Sequence, residues 1–111
     1  MRVVVLGSGS GGNATLVEGA DGARVLVDAG FSGRDLENRM RDLGIDPESL
    51  SAIFITHEHG DHTRGMGVLA RRFGLALYLT RATRVACAPL LRGRENVQPY
   101  SSTEPLRIGS L

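Results

Sequence analysis

Every histidine in this 111-residue chain falls within six positions, as His57, His59 and His62, with Asp61 between the last two. Directly before them runs Ala52-Ile-Phe-Ile-Thr56, an apolar stretch of the kind that forms a buried strand. This combination constrains the fold. Imidazole and carboxylate donors suit zinc, manganese or iron, and converging them requires a rigid platform, which a strand end held in a sheet provides. The spacing is not the i, i+4 pairing of a helical metal site. Alternate residues of an extended segment point the same way, which puts His57 and His59 together. A tight turn at the permissive Gly60 then swings Asp61 and His62 toward a second point. Two neighbouring cations are the natural consequence. A generic polar loop does not collect every histidine of a chain beside an aspartate. Glu58 alternates away from its neighbours and reads as solvent-facing or as support behind the ligands.

Length and a 41% hydrophobic fraction fit one soluble globular domain with a core of its own. The net charge of +1 gives no global attraction to nucleic acid or membrane. All thirteen basic residues are Arg, which reads as base composition, although Arg also makes the better phosphate fork. Cys87 is the one cysteine, so no intrachain disulfide forms, and within Ala-Cys-Ala it reads as a small buried hydrophobe. Val3–Leu6 is too short for a signal segment and no run approaches a membrane span. The expected location is cytoplasmic.

The elements follow from patterning. Arg2–Leu6 reads as a strand, and Asn13–Glu18 with Ala23–Asp28 as a hairpin around Gly19-Ala-Asp-Gly22. Gly33–Leu43 predicts a helix with Ser32 as N-cap, Gly44 past its end, and Leu36, Met40 and Leu43 as its apolar stripe. Asp46-Pro-Glu48 suggests a short helical turn. Ala52–Thr56 is a strand, and a helix starting at Thr63 or Gly65 runs to Phe73. Leu75–Leu79 is a strand, Thr80 to Leu91 a helix, Asn96–Tyr100 a strand, and Leu106–Ile108 begins another within the strand-like pattern that starts at Glu104. This order is α/β.

Gly7-Ser-Gly9-Ser-Gly-Gly12 formally satisfies the dinucleotide fingerprint Gly-x-Gly-x-x-Gly. The context fails, because a helix must follow the glycines to present its N-terminus to the pyrophosphate. Here Asn13–Glu18 is strand-like and runs into a turn.

Thr56-His-Glu-His-Gly-Asp-His62 resembles the His-x-His-x-Asp-His signature of the metallo-β-lactamase-fold hydrolases. Leu6-Gly-Ser-Gly-Ser-Gly-Gly-Asn13, Val25-Leu-Val-Asp-Ala-Gly30, Gly44-Ile-Asp-Pro47 and Gly65-Met-Gly-Val-Leu69 add a likeness to its YycJ/WalJ-like branch of nucleases and phosphodiesterases. The resemblance implies the N-terminal half of an αβ/βα sandwich, a mixed sheet with helices on one face, occupying residues 1–111 of a domain truncated before its downstream ligands. It implies two divalent metal ions, zinc first and manganese or iron as alternatives. His57 and His59 would bind one, and Asp61 and His62 the other, with Asp61 also orienting the attacking water. Asp28 would sit behind the ligands. Ser8, Ser10 and Asn13 lie on a loop where a substrate phosphate could be touched. Arg64, Arg71 and Arg72 could assist, although helical positions make them a solvated face. Two metals need roughly eight coordination positions, and four donors are evident here. The expectation is therefore a half-site, inactive alone, in a phosphodiesterase or nuclease acting on nucleic acid or another phosphodiester. A thioester or lactone hydrolase is the enzymatic alternative. A non-catalytic half-domain that self-associates, or awaits the missing C-terminal half, is the other.

Overall fold

The computed structural model describes residues 1–101, 103 and 105–111. A six-stranded mixed sheet runs in chain order through β1 (Arg2–Gly7), β2 (Ala14–Glu18), β3 (Arg24–Val27), β4 (Ala52–Phe54), β5 (Ala76–Leu79) and β6 (Asn96–Pro99). The first two pairings are antiparallel and the remaining three parallel. Helices α1 (Gly33–Asp42), α2 (Gly60–Thr63), α3 (Met66–Phe73) and α4 (Arg81–Ala86) lie in the connections that follow β3, β4 and β5. None of the described helices is long and apolar enough to cross a membrane.

Strand register explains why the helices gather on one face. Val4 pairs with Leu16, Leu16 with Leu26, Leu26 with Ile53, Ile53 with Leu77, and Leu77 with Val97. Partners in register share a face, so one apolar row crosses the whole sheet. This row joins Leu36 and Met40 of α1, Met66, Leu69 and Ala70 of α3, and Cys87 after α4 in one core cluster. The opposite face carries Val3 and Val5, 56% and 59% exposed, and half-buried Val17, Val27, Phe54 and Tyr78. There a groove of about 450 Å³ forms between the sheet and the C-terminal Leu106, Ile108 and Leu111.

Local chemistry sets the helix ends. Ser32 Oγ accepts from Asp35 N at 3.2 Å, and Arg39 and Arg41 occupy the last turn of α1, where cations complement the helix dipole. The Asp46 carboxylate likewise caps a 3₁₀ turn at Pro47–Ser49. Three expectations are corrected. Leu43, placed on the buried stripe, is 56% exposed, because α1 ends at Asp42 and the chain turns at Gly44, φ 73°. The long helix over Thr80–Leu91 is α4 followed by a separate 3₁₀ turn, Ala88–Leu90, since Pro89 has no N–H to extend the ladder. Leu106–Ile108 is not a strand. Instead Ile108 and Leu111 exchange backbone hydrogen bonds at 3.0 and 2.9 Å across a tight turn with Gly109 at φ 57°. Glu104, where that strand-like pattern begins, lies outside the described residues.

One ion pair fastens the β6 edge to the helices. Glu95, its side chain 1% exposed, accepts from Arg71 of α3 and from the backbone N–H groups of Arg92 and Gly93. Burial works to raise its pKa, but the Arg92 N–H and the Arg71 guanidinium outweigh it and bring the carboxyl down to about 2. A carboxylate with a depressed folded-state pKa contributes stability that is full above its unfolded value and is lost as pH falls through the folded one. Glu95→Gln should therefore cost about 1.5–3 kcal/mol at neutral pH. It should also flatten the loss of stability between pH 4.5 and about 2; urea titrations across that range provide the measurement.

Candidate metal centre

The parallel pairing of β3 with β4, Val27 against Phe54, brings the ends of both strands out side by side. Asp28 continues the ladder by donating its N–H to Phe54 O at 2.7 Å, then turns the chain in the left-handed region, φ 65°, the only non-glycine residue there among those described. Asx residues tolerate that conformation best. Its side chain is largely buried, 9% exposed, and both oxygens are taken. Oδ1 accepts from Thr56 N at 2.7 Å; Oδ2 accepts from Thr56 Oγ1 at 2.6 Å and from His62 Nδ1 at 2.7 Å.

These bonds fix both imidazoles. A carboxylate only accepts, so His62 carries a proton on Nδ1, and in the neutral ring, the form that binds metal, the lone pair is on Nε2. Thr56 spends its single hydroxyl proton on Asp28, so toward His57 Nδ1, 2.8 Å away, Oγ1 can only accept. His57 is therefore also the Nδ1–H tautomer with Nε2 free. The two rings stand 4.7 Å apart. One donor atom from each of Asp28, His57 and His62 lies within 4.8 Å of the others. Asp61 Oδ2 is 3.6 Å from His62 Nε2, about the separation of two ligands that each sit roughly 2.0–2.2 Å from one tetrahedral ion. Imidazole and carboxylate donors gathered in this way are of the types that suit a divalent cation.

The loop bearing these groups is held through its backbone. Thr63 Oγ1 and His62 N donate to His59 O at 3.1 and 2.9 Å, and Cys87 Sγ donates to Glu58 O at 3.3 Å. Burial of Cys87 raises its thiol pKa, so the group stays a neutral donor. Tyr100 OH donates to Ile55 O at 2.6 Å and its ring stacks on Phe54 at 4.4 Å. On the other side, Asn13 N donates to Asp61 O at 2.7 Å and Ala29 N to His62 O at 2.8 Å. Any side chain at Gly30 would collide with Asp61 O.

The structure thus brings Asp28, His57 and His62 together, with Asp61 beside His62, and leaves His59 outside that cluster, exposed and extended at φ −63°, ψ 148°. Glu58 is exposed, as its alternation implied. Gly60 is not in the positive-φ region and simply opens α2, so the turn needs no glycine conformation there. Ser8 and Ser10 are exposed, while the Asn13 amide is engaged by Gly9 and Asp61. Arg71 and Arg72 are paired with Glu95 and Glu37, and Arg64 is exposed. Thr56 and Gly30 were not singled out for these roles from sequence. Their signals were a hydroxyl directly before the first histidine and a glycine two positions after the strand-end aspartate.

Residues 7–108 match the Metallo-beta-lactamase superfamily. Over 79 residues the chain is 46% identical to exodeoxyribonuclease WalJ of Streptococcus pneumoniae, covering 71% of this chain and 29% of that protein. It is 35% identical over 108 residues to ribonuclease Z of Aeropyrum pernix, covering 91% of this chain and 32% of the relative. Among solved structures, a B3 metallo-beta-lactamase with an active-site glutamic acid superposes with a TM-score of 0.78 at 23% identity, over 96% of this chain and 46% of that one. The chain therefore spans about a third of the length of these two relatives.

Replacing Asp28 by Asn tests the hub. Asn keeps the left-handed backbone, but its NH₂ can only donate toward His62. The ring then answers with an Nδ1 lone pair and carries its proton on Nε2. The expected result is a loss of about 10–100-fold in zinc affinity with a much smaller change in thermal midpoint, read by chelator competition and calorimetry. Unchanged affinity would contradict the tautomer assignment.

Proposed function

The chain belongs to the metallo-beta-lactamase superfamily, and from that premise we propose that it carries the metal-binding half of a phosphodiester-hydrolysing site that acts on nucleic acid. The observation that carries the reading is the pair of Nε2 lone pairs on His57 and His62, both set by the Asp28 carboxylate, with Asp61 Oδ2 3.6 Å from that of His62. The relatives named as exodeoxyribonuclease and ribonuclease support the substrate class.

In this proposal His57 and His59 hold one divalent ion and Asp61 and His62 a second, zinc being the first choice and manganese or iron the alternatives. When bound, such ions make water a nucleophile at neutral pH and offset charge on phosphate oxygens. The chain's own residues do the rest. Asp61 holds and orients the attacking water with a carboxylate oxygen, and Asp28 keeps the imidazoles in their donor tautomers through direct and Thr56-relayed hydrogen bonds. Ser8, Ser10 and Asn13 belong to the loop that borders Asp61, where a phosphate backbone would pass. Four donors leave both ions short of a full shell, at four or more positions each, and the chain has no further histidine. The remaining donors come from residues outside this chain.

Two outcomes follow. Zinc or manganese binds the isolated chain and binding weakens in acid, because imidazole must be neutral to donate; His59→Ala lowers the bound stoichiometry measured by elemental analysis after dialysis. Hydrolysis of bis(p-nitrophenyl) phosphate by the isolated chain is slow or undetectable. Unchanged metal content in His59→Ala removes His59 from the ligand set, and brisk metal-dependent turnover would overturn the half-site reading.

A further inference from the structure

We infer that Asn13 is a positioning residue for Asp61: its amide aims the Asp61 carboxylate at His62 and ties that orientation to the Gly-rich loop. The inference rests on the reading of Asp61 as a metal ligand, and goes beyond it in assigning a role to Asn13.

Both donor protons of this amide are committed. Nδ2 lies 2.9 Å from Gly9 O, 3.2 Å from Asp61 O and 3.1 Å from Asp61 Oδ2, while Oδ1 accepts from Gly9 N at 3.1 Å. One Nδ2 proton serves Gly9 and the other is shared between the two Asp61 oxygens. The assignment of nitrogen and oxygen is forced. Flipping the amide would press Oδ1 against three acceptors and Nδ2 against the Gly9 N–H. The oxygen gripped by Asn13 is also the one that stands 3.6 Å from His62 Nε2. A carboxylate left to itself rotates about its last torsion nearly freely; this one is pinned with Oδ2 toward the ring that would share its metal.

The backbone makes the same junction rigid. Asn13 N donates to Asp61 O at 2.7 Å, and Gly30 N donates to Asn13 O at 2.9 Å. Loop, strand end and ligand loop therefore meet at one residue. Gly9, at φ 131°, shapes the loop so that its N–H and C=O both face the Asn13 amide. The Gly-rich loop is thus coupled to Asp61 through both the backbone and the side chain of Asn13, and of the two only the side chain reaches the carboxylate. With both protons committed, the amide has no donor left for a phosphate oxygen, so its part is to orient the ligand.

Cobalt(II) titration of the unaltered chain, Asn13→Ala and Asp61→Ala, with visible d–d absorption and far-ultraviolet circular dichroism recorded together, tests this. The expected result is native dichroism for Asn13→Ala, cobalt affinity lowered about 10–100-fold, and d–d bands displaced in the same direction as in Asp61→Ala. If Asp61→Ala alters affinity and spectrum while a folded Asn13→Ala alters neither, the Asn13 inference fails and the metal reading stands. If Asp61→Ala changes nothing, or the unaltered chain takes up no cobalt, the metal reading fails and takes this inference with it. Should Asn13→Ala not fold, Asn13→Asp carries the test. It keeps the acceptor for Gly9 N–H but turns an oxygen toward Asp61, so weaker binding is expected, and affinity equal to or above the unaltered chain overturns the inference.

Discussion

One buried carboxylate organises the working edge of this fold. Asp28 stands where two parallel strands finish level with one another, and its two oxygens gather three donors from the segment that leaves the neighbouring strand. Desolvating a carboxylate is costly unless it is fully hydrogen-bonded, and here the bonds that meet the cost also dictate which nitrogen of each ring is free. The left-handed turn at Asp28 belongs to the same junction of strand end and ligand loop. Structure and chemistry share a single interaction.

The sheet supports this edge unequally on its two faces. Toward the helices, one row of large aliphatic side chains runs from β1 to β6 and is closed by α1, α3 and the residues after α4. Apolar burial of this kind contributes roughly 25 cal/mol for each Å² removed from water, and it holds the strands in the register that aligns β3 with β4. The opposite face is apolar as well, with Val25 buried and Val17, Val27 and Phe54 partly covered by the last residues of the chain. That lighter cover stands opposite a densely filled helical side.

Much of this was legible in the sequence. Strand and helix types followed from apolar periodicity, and the caps at Ser32 and Asp46 from residue chemistry that operates within three positions. The family resemblance rested on the histidine run and the glycine-rich stretches, and the superfamily match over residues 7–108 bears it out. What escaped was non-local. No pattern in Asn13 announces that its amide will meet a residue 48 positions away, and the relay through Thr56 depends on where a second strand ends. Leu43 misled because periodicity does not know where a helix stops. Leu106–Ile108 misled because a strand-like pattern forms a strand only if an edge is there to receive it.

The order of the sheet has a consequence for how the molecule comes into being. Among the described residues each strand lies beside the one made just before it, from β1 through β6. Hairpin contacts come first, and every later addition spans only one helical crossover, which keeps the sequence separation of contacting residues modest and the loop-closure penalty low. A chain emerging from a ribosome can add strands to a growing edge in the order of synthesis. By the time β4 docks on β3, Asp28 is already in place to receive the ligand loop that follows.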